Sequence, residues 1–250
     1  MGKLLEVCVD SYASAMAAAA GGADRLELCS ALTMGGLTPY EMLLRQIKET
    51  IPIPVRCLMR PRAGDFLYTP EELELLRHQI LQLKDAGADG FVIGCLTAEG
   101  ELDMEAMKPL VEACGDRGIT LHRCIDVSRN PCKTYMDAMQ LGMDTVLTSG
   151  AAGNCAAGKE TIRVLLQMRD AYRGPEVLIG AGVNAAVVRE FLADLPGCQA
   201  FHMSGKSETK SGMRFRREGV PMGAPGLDEW HIQITSAEAV AAAKNVLNEG

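Results

Sequence analysis

The chain has 250 residues, of which 48% are hydrophobic, and a formal net charge of −7. This composition allows a sizeable core and disfavours intrinsic disorder. The acidic balance argues against a nucleic-acid partner, which needs a basic surface, and no apolar run is long enough to make the membrane a partner.

Strands and helices are predicted to alternate along the chain. Strands are predicted at residues 4–9, 25–29, 55–59, 91–93, 119–123, 145–148, 176–179 and 200–203. Helices are predicted at residues 13–20, from a Thr38 cap to 49, from a Thr69 cap onwards, and at 104–113, 135–141, 162–171, 185–192 and 239–247. Pro52 and Pro54 prevent the second helix from continuing.

Several helix starts carry capping residues. Thr38 and Thr69 are each followed by a proline and, three residues on, by a glutamate, which predicts capping boxes at 38–41 and 69–72. Asn184 and the stretch 235–238 are predicted to cap the last two helices. These signals predict where four of the helices begin.

One turn pattern occurs three times, each time between a helix and the next strand. It reads glycine, one further residue and aspartate, at residues 22–24, 87–89 and 142–144. A recurring connection of this kind indicates a repeated structural unit.

Eight strands in strict alternation with eight helices predict an α/β protein, a single (β/α)8 TIM-barrel domain over residues 1–250. A doubly wound open sheet is the alternative, but no G-x-G-x-x-G motif opens the chain. The loop 204–234 after the eighth strand is too long for a simple connection and is predicted to be a functional lid. Because barrels of this size often dimerise, a homodimer is expected.

Acidic and histidine side chains occur within or just after several strands, where burial is costly unless they have partners. The candidates for general acids and bases, or for metal ligands, are Glu6, Glu27, His122, Asp126 and His202. Inward-pointing groups at the strand ends would crowd around one axis, and His122 and Asp126 would supply proton transfer if the site catalyses a reaction. The alternative is a buried structural network in which Arg60 and Arg123 are partners of the glutamates.

The loop after the third strand carries Arg60 and Arg62, which are predicted to clamp an anion. The alternative is that Arg62 pairs with Asp65 and merely holds the loop. Turns after strands six and seven expose backbone N–H groups and are predicted to complete the anion site. Their residues in that site are Ser149, Gly150, Gly180 and Gly182. Tight turns would use glycine too, and the basic excess at 206–217 fits either an anionic ligand or a solvated loop.

Nine cysteines are spread along the chain without a C-x-x-C pair. Because the acidic Glu6 comes too early for a secretion signal, they are expected to be reduced thiols of a cytoplasmic protein. Cys8 and Cys29 each follow a strand glutamate by two residues, on the same face of the strand. Thiolates select copper(I) or zinc, whereas a buried cysteine also serves as a small core residue.

Several pieces of the sequence together resemble the copper homeostasis protein CutC family. They are GADRLELC at 22–29, GGLTP at 35–39, RPRAGDFLY at 60–68, HRCID at 122–126, LTSG at 147–150, GAGV at 180–183 and MRFR at 213–216. Their order matches the family from end to end, although Ala63, Cys124 and Ile125 depart from its usual residues. The resemblance implies a cytoplasmic barrel associated with copper tolerance, with Cys29 as the first candidate copper(I) ligand. Cys8, at the equivalent position of the neighbouring strand, is the second candidate.

Three functions are compatible with these observations. The thiols favour a copper(I)-handling protein, and the charged strand ends favour an enzyme acting on a small phosphorylated or carboxylated molecule. A pocket without inward polar groups would favour an interaction protein that has lost chemistry. The position of the strand-end glutamates and histidines in the fold is the observation that separates these alternatives.

Overall fold

The computed structural model describes residues 2–220, 222–223 and 228–249. Eight parallel strands form a closed barrel in which each strand pairs with the next along the chain and the eighth pairs with the first. This confirms the predicted (β/α)8 barrel and excludes an open doubly wound sheet. Each intervening helix returns the chain to the same end of the sheet, which is why the strands are parallel.

The barrel strands are short, and their bounds agree closely with the predicted ones. They are β1 (Leu4–Val9), β2 (Arg25–Leu28), β3 (Val55–Leu58), β4 (Gly90–Ile93), β5 (Gly118–Leu121), β6 (Thr145–Thr148), β7 (Glu176–Ile179) and β8 (Ala200–Met203). The fifth strand ends two residues earlier than predicted. His122 leaves the strand because its Nδ1 accepts a hydrogen bond from the Cys124 N–H and starts a 3-10 turn at Arg123–Val127.

Eight helices surround the barrel in the described part of the chain. They are α1 (Tyr12–Ala20), α2 (Glu41–Thr50), α3 (Pro70–Asp85), α4 (Met104–Cys114), α5 (Pro131–Gln140), α6 (Lys159–Tyr172), α7 (Ala185–Asp194) and α8 (Ala237–Glu249). Their inner faces and the outward faces of the strands form one large apolar core, which stabilises the helices by burial. Among the described residues, no helix has both the length and the apolar composition needed to cross a membrane.

Three of the predicted helix starts are confirmed by their hydrogen bonds. Thr69 accepts from the Glu72 N–H while the Glu72 carboxylate accepts from the Thr69 N–H, a complete capping box at the start of α3. The Asn184 side chain caps α7. In the stretch 235–238, Ser236 accepts from the Ala239 N–H at the start of α8.

The capping box predicted at 38–41 is wrong. The helix α2 begins at Glu41, and its N-cap residue, Tyr40, makes no side-chain capping bond. Thr38 is used elsewhere: its hydroxyl donates to the Arg60 carbonyl and accepts from the Arg60 N–H. A tertiary contact between two loops at the barrel mouth therefore takes the side chain that the local pattern assigned to the helix.

The repeated glycine-x-aspartate turn has a common structural role at the amino-terminal end of the barrel. In each copy the aspartate carboxylate accepts a hydrogen bond of 2.7 Å from the backbone of the preceding strand. The pairs are Asp24 with the Leu5 N–H, Asp89 with the Val55 N–H and Asp144 with the Ile119 N–H. The glycines at 22, 87 and 142 have φ between +75° and +98°, which glycine adopts without strain. Each turn thus joins an odd-numbered strand to the even-numbered strand that follows it.

The inside of the barrel is polar near its amino-terminal end. The Arg56 guanidinium lies there and donates to Asp144, Thr120 and Thr145. Gly118 leaves room for it, because a Cβ at that position would lie 2.3 Å from a guanidinium nitrogen. Two small apolar clusters lie apart from the large core, one of Cys29, Leu58 and Val92 and one of Leu147, Leu178 and Ala200.

The segment after β8 contains a hairpin of its own. The strands β9 (Lys206–Lys210) and β10 (His231–Thr235) pair antiparallel. Pro221 and residues 224–227 of the predicted lid lie outside the described residues.

We expect Asp89→Ala to lower the free energy of unfolding by about 1–2 kcal/mol, since the Val55 N–H and the Lys48 ammonium both lose a charged acceptor. Urea unfolding measures this loss. The matched control is Asp116→Ala, because the Asp116 side chain is 92% exposed. Equal stability of the two variants would contradict the structural role of the repeated turn.

Candidate functional site

A cavity of about 770 Å³ opens at the carboxyl-terminal end of the barrel. The strands and their ends contribute Cys8, Glu27, Leu58, His122, Leu147 and His202 to its wall. Loops add Arg60, Phe66 and the turn 181–184. The volume lies in the range of small-molecule sites, and many of the residues singled out in the sequence meet there.

Glu6 is fully buried and does not line the cavity. Its carboxylate accepts a hydrogen bond from Arg25 Nε and lies 2.8 Å from Nδ1 of His202. Burial opposes ionisation, but the Arg25 charge and the bond to His202 lower the pKa of Glu6 to about 2. Glu6 is therefore an ionised group that positions His202.

Cys8, Glu27 and His202 form a compact group on one wall of the cavity. Each offers one potential ligand atom, and the three atoms lie within 4.8 Å of one another. Glu27 Oε2 is 3.8 Å from His202 Nε2. This group unites residues from β1, β2 and β8, which are neighbours in the closed barrel.

The pKa values of Glu27 and His202 are both shifted from their ordinary values. Burial raises the pKa of Glu27 to about 7; nearby His202 lowers it and the Glu6 charge raises it. Burial lowers the pKa of His202, but its interactions with Cys8, Glu27 and Glu6 outweigh burial and raise that pKa well above its ordinary value. A carboxyl group that titrates near neutral pH thus lies beside an imidazolium.

This arrangement can support two kinds of chemistry. Because an ionised carboxylate only accepts hydrogen bonds, His202 Nδ1 is the donor to Glu6. Loss of the proton on Nε2 would free that nitrogen to bind a metal ion, which is the usual arrangement of metal-binding histidines. Glu27 and His202 can instead exchange protons with a bound molecule at neutral pH. Metal binding and proton transfer would use the same atoms, so they exclude each other.

His122 lines the cavity from β5, on the far side of the barrel from β1. Its Nδ1 accepts from the Cys124 N–H, so the neutral ring carries its proton on Nε2. Burial and the Arg60 charge lower the pKa of His122 to about 3. Nε2 is buried and has no hydrogen-bond partner among the described residues. Gly94 makes room for the ring, since a Cβ there would lie 2.7 Å from its Cε1.

Arg60 lines the cavity, but most of its donors are used within the protein. Its terminal nitrogens donate to the backbone carbonyls of Met34, Gly36 and Gly64. Its Nε is buried without a partner among the described residues.

Arg62 does not line the cavity, so the two-arginine clamp is not formed. Its guanidinium donates to Glu72, to Asp65 and to the Leu67 carbonyl. The alternative interpretation, in which Arg62 pairs with Asp65, therefore describes the structure. The two-residue periodicity that would place Arg60 and Arg62 on one face holds only within a strand, and both residues follow β3.

The turn after β6 binds a carboxylate of the protein itself, that of Asp126. The donors to the Asp126 carboxylate are the Thr148 hydroxyl, the N–H groups of Ser149 and Ala151, and the Arg123 guanidinium. Gly150 donates to the Thr148 hydroxyl oxygen. Asp126, Ser149 and Gly150 do not line the cavity, so their predicted roles in proton transfer and anion binding do not fit this geometry.

The turn after β7 was predicted to place Gly180 and Gly182 in the anion site. Gly180 donates to the Thr148 carbonyl, and a Cβ at Gly180 would lie 2.7 Å from Leu147 Cδ1. Gly182, with φ +85°, lines the cavity with the rest of the turn 181–184. The N–H groups of 181–184 have no acceptor among the described residues. Because this turn precedes α7, it can receive an anion.

Cys29 is buried outside the cavity wall and outside the compact group of Cys8. Its thiol donates to the Val9 carbonyl at 3.5 Å and packs against Leu58 and Val92. Burial, with a smaller contribution from Glu27, raises the pKa of the Cys29 thiol far above its ordinary value. That shift disfavours the thiolate that a metal site requires.

The basic segment 206–217 contributes only Lys206 to the cavity wall. The other basic side chains are exposed: Lys210, Arg214, Arg216 and Arg217. The Arg216 guanidinium lies 4.7 Å from the centre of the Trp230 ring. Closure of this segment over a ligand is therefore not seen in the structure.

Two residues that shape the site were missed in the sequence. Arg25 precedes Glu27 by two positions, so strand periodicity could have placed it on the inward face. The Phe66 ring packs against both His122 and Arg60, with centroid distances of 4.7 Å to the imidazole ring and 5.2 Å to the guanidinium carbon. No sequence signal indicates that loop contact.

Comparison with known proteins gives a consistent result. The sequence profile of the CutC family matches residues 3–207. The chain is 38% identical to a CutC family protein of Chromobacterium violaceum over 100% of both chains. It is 39% identical to the human copper homeostasis protein cutC homolog, over 98% of this chain and 91% of the human one. The solved structure of CutC from Streptococcus agalactiae has the same fold, with a TM-score of 0.75 over 81% of this chain and 98% of that one at 24% identity.

We expect Glu27→Gln to change the pH dependence of stability. Wild-type Glu27 has a pKa of about 7 when folded against 4.5 unfolded, so its stabilising contribution is lost as pH rises from 4.5 to 7. The contribution of His122 to stability has the opposite pH dependence. Its folded pKa of about 3 lies below the unfolded value of 6.5, so this contribution is lost as pH falls from 6.5 towards 3. Between pH 4.5 and pH 7, the free energy of unfolding of Glu27→Gln should therefore rise by roughly 3 kcal/mol relative to that of wild type.

Urea unfolding at several pH values measures this difference. Glu105→Gln is the control, because the Glu105 side chain is 84% exposed. Parallel stability curves for wild type and Glu27→Gln would show that Glu27 titrates normally in the folded protein.

Proposed function

The chain belongs to the CutC family, and from this premise we propose that it serves copper homeostasis by binding copper(I) at the barrel mouth. The observation that carries the proposal is the compact group of Cys8, Glu27 and His202, with its ligand atoms within 4.8 Å of one another. The name of the human relative, a copper homeostasis protein, points in the same direction.

Cys8 and His202 are the proposed primary ligands. A thiolate is a soft ligand suited to copper(I), and an imidazole nitrogen also binds copper. Glu6 supports the site from outside by holding Nδ1 of His202 at 2.8 Å, which orients the ring and makes Nε2 more basic. Glu27 is a harder oxygen ligand and contributes mainly negative charge.

Cys29, the first candidate ligand on the family resemblance, becomes the candidate for a second soft ligand. Its thiol donates to the Val9 carbonyl and would have to turn away from it to join Cys8. The contribution of Cys29 is therefore expected to be smaller than that of Cys8.

Anaerobic copper(I) titration against a competing chelator tests this assignment. We expect Cys8→Ser to abolish the site, because it removes the soft ligand. Glu6→Gln should weaken binding about 10- to 100-fold through the loss of the support to His202. Cys29→Ser should have a smaller effect than Cys8→Ser.

The matched control is Cys132→Ser, on α5 and outside the cavity wall. Wild-type affinity and stoichiometry in Cys8→Ser would refute the proposed site. A loss confined to Cys29→Ser would move the site to that thiol.

A second candidate function is favoured by the cavity itself. A volume of about 770 Å³ is far larger than a metal ion needs and suits a small organic ligand. We infer an enzyme acting on a small phosphorylated or carboxylated molecule, in which Glu27 accepts a proton and the His202 imidazolium donates one. The positive charge of Arg60 and Lys206 at the cavity wall suits an anionic substrate.

A thermal-shift screen of small phosphorylated and carboxylated metabolites tests the second candidate. A substrate should raise Tm of the wild-type protein, and turnover should fall about 100-fold or more in Glu27→Gln, since general acid–base groups contribute at least that much. The absence of any stabilising compound would count against it.

A further inference from the structure

Arg60 differs from the other largely buried arginines in its partners. Those arginines have side chains that are each 11% exposed, and all are paired with carboxylates: Arg25 with Glu6, Arg56 with Asp144, and Arg169 with Asp170 and Glu176. Arg60 is buried to the same extent as Arg25, with 9% of each whole residue exposed, yet its partners are three backbone carbonyls and no carboxylate of the described residues. Buried charges in proteins are ordinarily paired with an opposite charge. The positive charge of Arg60 therefore lacks a counterion within the described chain.

Arg60 and His122 also share an unusual feature in their hydrogen bonding. Arg60 Nε and His122 Nε2 are both buried donors without an acceptor among the described residues. Leaving such a donor unsatisfied is destabilising, because the group loses its hydrogen bonds to water on burial. His122 is 4% exposed, and Gly94 is needed to accommodate its ring. The fold thus maintains two costly unpaired N–H groups at one cavity.

Phe66 places these two groups side by side. Its ring packs against the His122 imidazole and against the Arg60 guanidinium, and all three residues line the cavity. An apolar ring at this position keeps water away and strengthens any hydrogen bond formed there. Both donor atoms are buried in this structure, so a ligand that bonds to them would require local side-chain movement at the cavity wall.

We propose that Arg60 and His122 form an oxyanion-binding subsite that recognises a carboxylate or phosphate group of a small ligand. One ligand oxygen accepts from Arg60 Nε–H and another from His122 Nε2–H, and the ligand supplies the counterion that Arg60 lacks. His122 follows β5, on the far side of the barrel from β1, whereas Arg60 follows β3, the neighbour of the strand that carries Glu27. The ligand presents its anionic end to Arg60 and His122 and its reactive end to Glu27. This inference rests on the second candidate function, in which the ligand is a small anion.

Titration of the wild-type protein with inorganic phosphate and with malonate tests the subsite. Calorimetry measures the affinity, and ¹⁵N–¹H NMR follows the Arg60 Nε–H and His122 Nε2–H signals. We expect saturable binding of at least one probe, with both signals shifting along the same binding curve. The preferred probe identifies the recognised group as phosphate or carboxylate.

Three variants sharpen the test. Arg60→Lys keeps the charge but removes the Nε–H donor, and His122→Phe keeps a ring against Phe66 but removes the imidazole donor. Each should weaken binding roughly tenfold or more, as expected for a lost hydrogen bond to a charged group. Arg62→Lys is the matched control, because it lies on the same loop outside the cavity and should bind like wild type.

The outcomes separate this inference from the function on which it rests. Binding with unmoved Arg60 and His122 signals would overturn the subsite while leaving an anionic ligand in place. Absence of binding by both probes, with unmoved signals, would overturn the subsite together with the anionic-ligand function. Since the NMR signals are those of the wild-type protein, a variant that fails to fold does not affect the decision.

Discussion

The candidate site depends on the buried ion pairs of Glu6. Its carboxylate is fully buried and is bound by Arg25 from one side and by His202 from the other. A carboxylate can be buried at this depth only when charged hydrogen-bond partners compensate for lost hydration. The same contacts fix the orientation of the His202 ring. The position of His202 beside Cys8 and Glu27 therefore follows from the requirement to neutralise Glu6.

Charge is distributed unequally around the barrel mouth. One wall combines Glu27 with Cys8 and His202, the loop after β3 carries the positive charge of Arg60, and the end of β5 carries a neutral His122. The turn after β6, by contrast, is already neutralised internally by a carboxylate of the chain. A ligand with an anionic group near Arg60 and a proton-exchanging group near Glu27 and His202 would match this distribution.

The fold was predictable because its signals are local. A capping box such as that of Thr69 and Glu72 involves residues three positions apart, and the glycine-x-aspartate turn links elements that are adjacent in the chain. Predictions from local patterns failed where a distant loop used the same side chain. The Thr38 side chain bonds to Arg60, 22 positions away in the sequence, and therefore does not cap the helix.

The amino-acid sequence alone specified the barrel and predicted several strand side chains at one mouth. Of these, Cys8, Glu27 and His202 line the cavity, whereas Glu6 and Cys29 do not. Alternation within a strand assigns side chains to the inside, and the order of strands in a closed barrel makes the first, second and eighth neighbours. Loop side chains have no such period, so their destinations were set by the tertiary structure. Arg62 turns to Glu72, and Asp126 enters the turn after β6. Both choices were decided by partners brought near through folding, because a buried or half-buried charge takes the closest opposite charge or free N–H group.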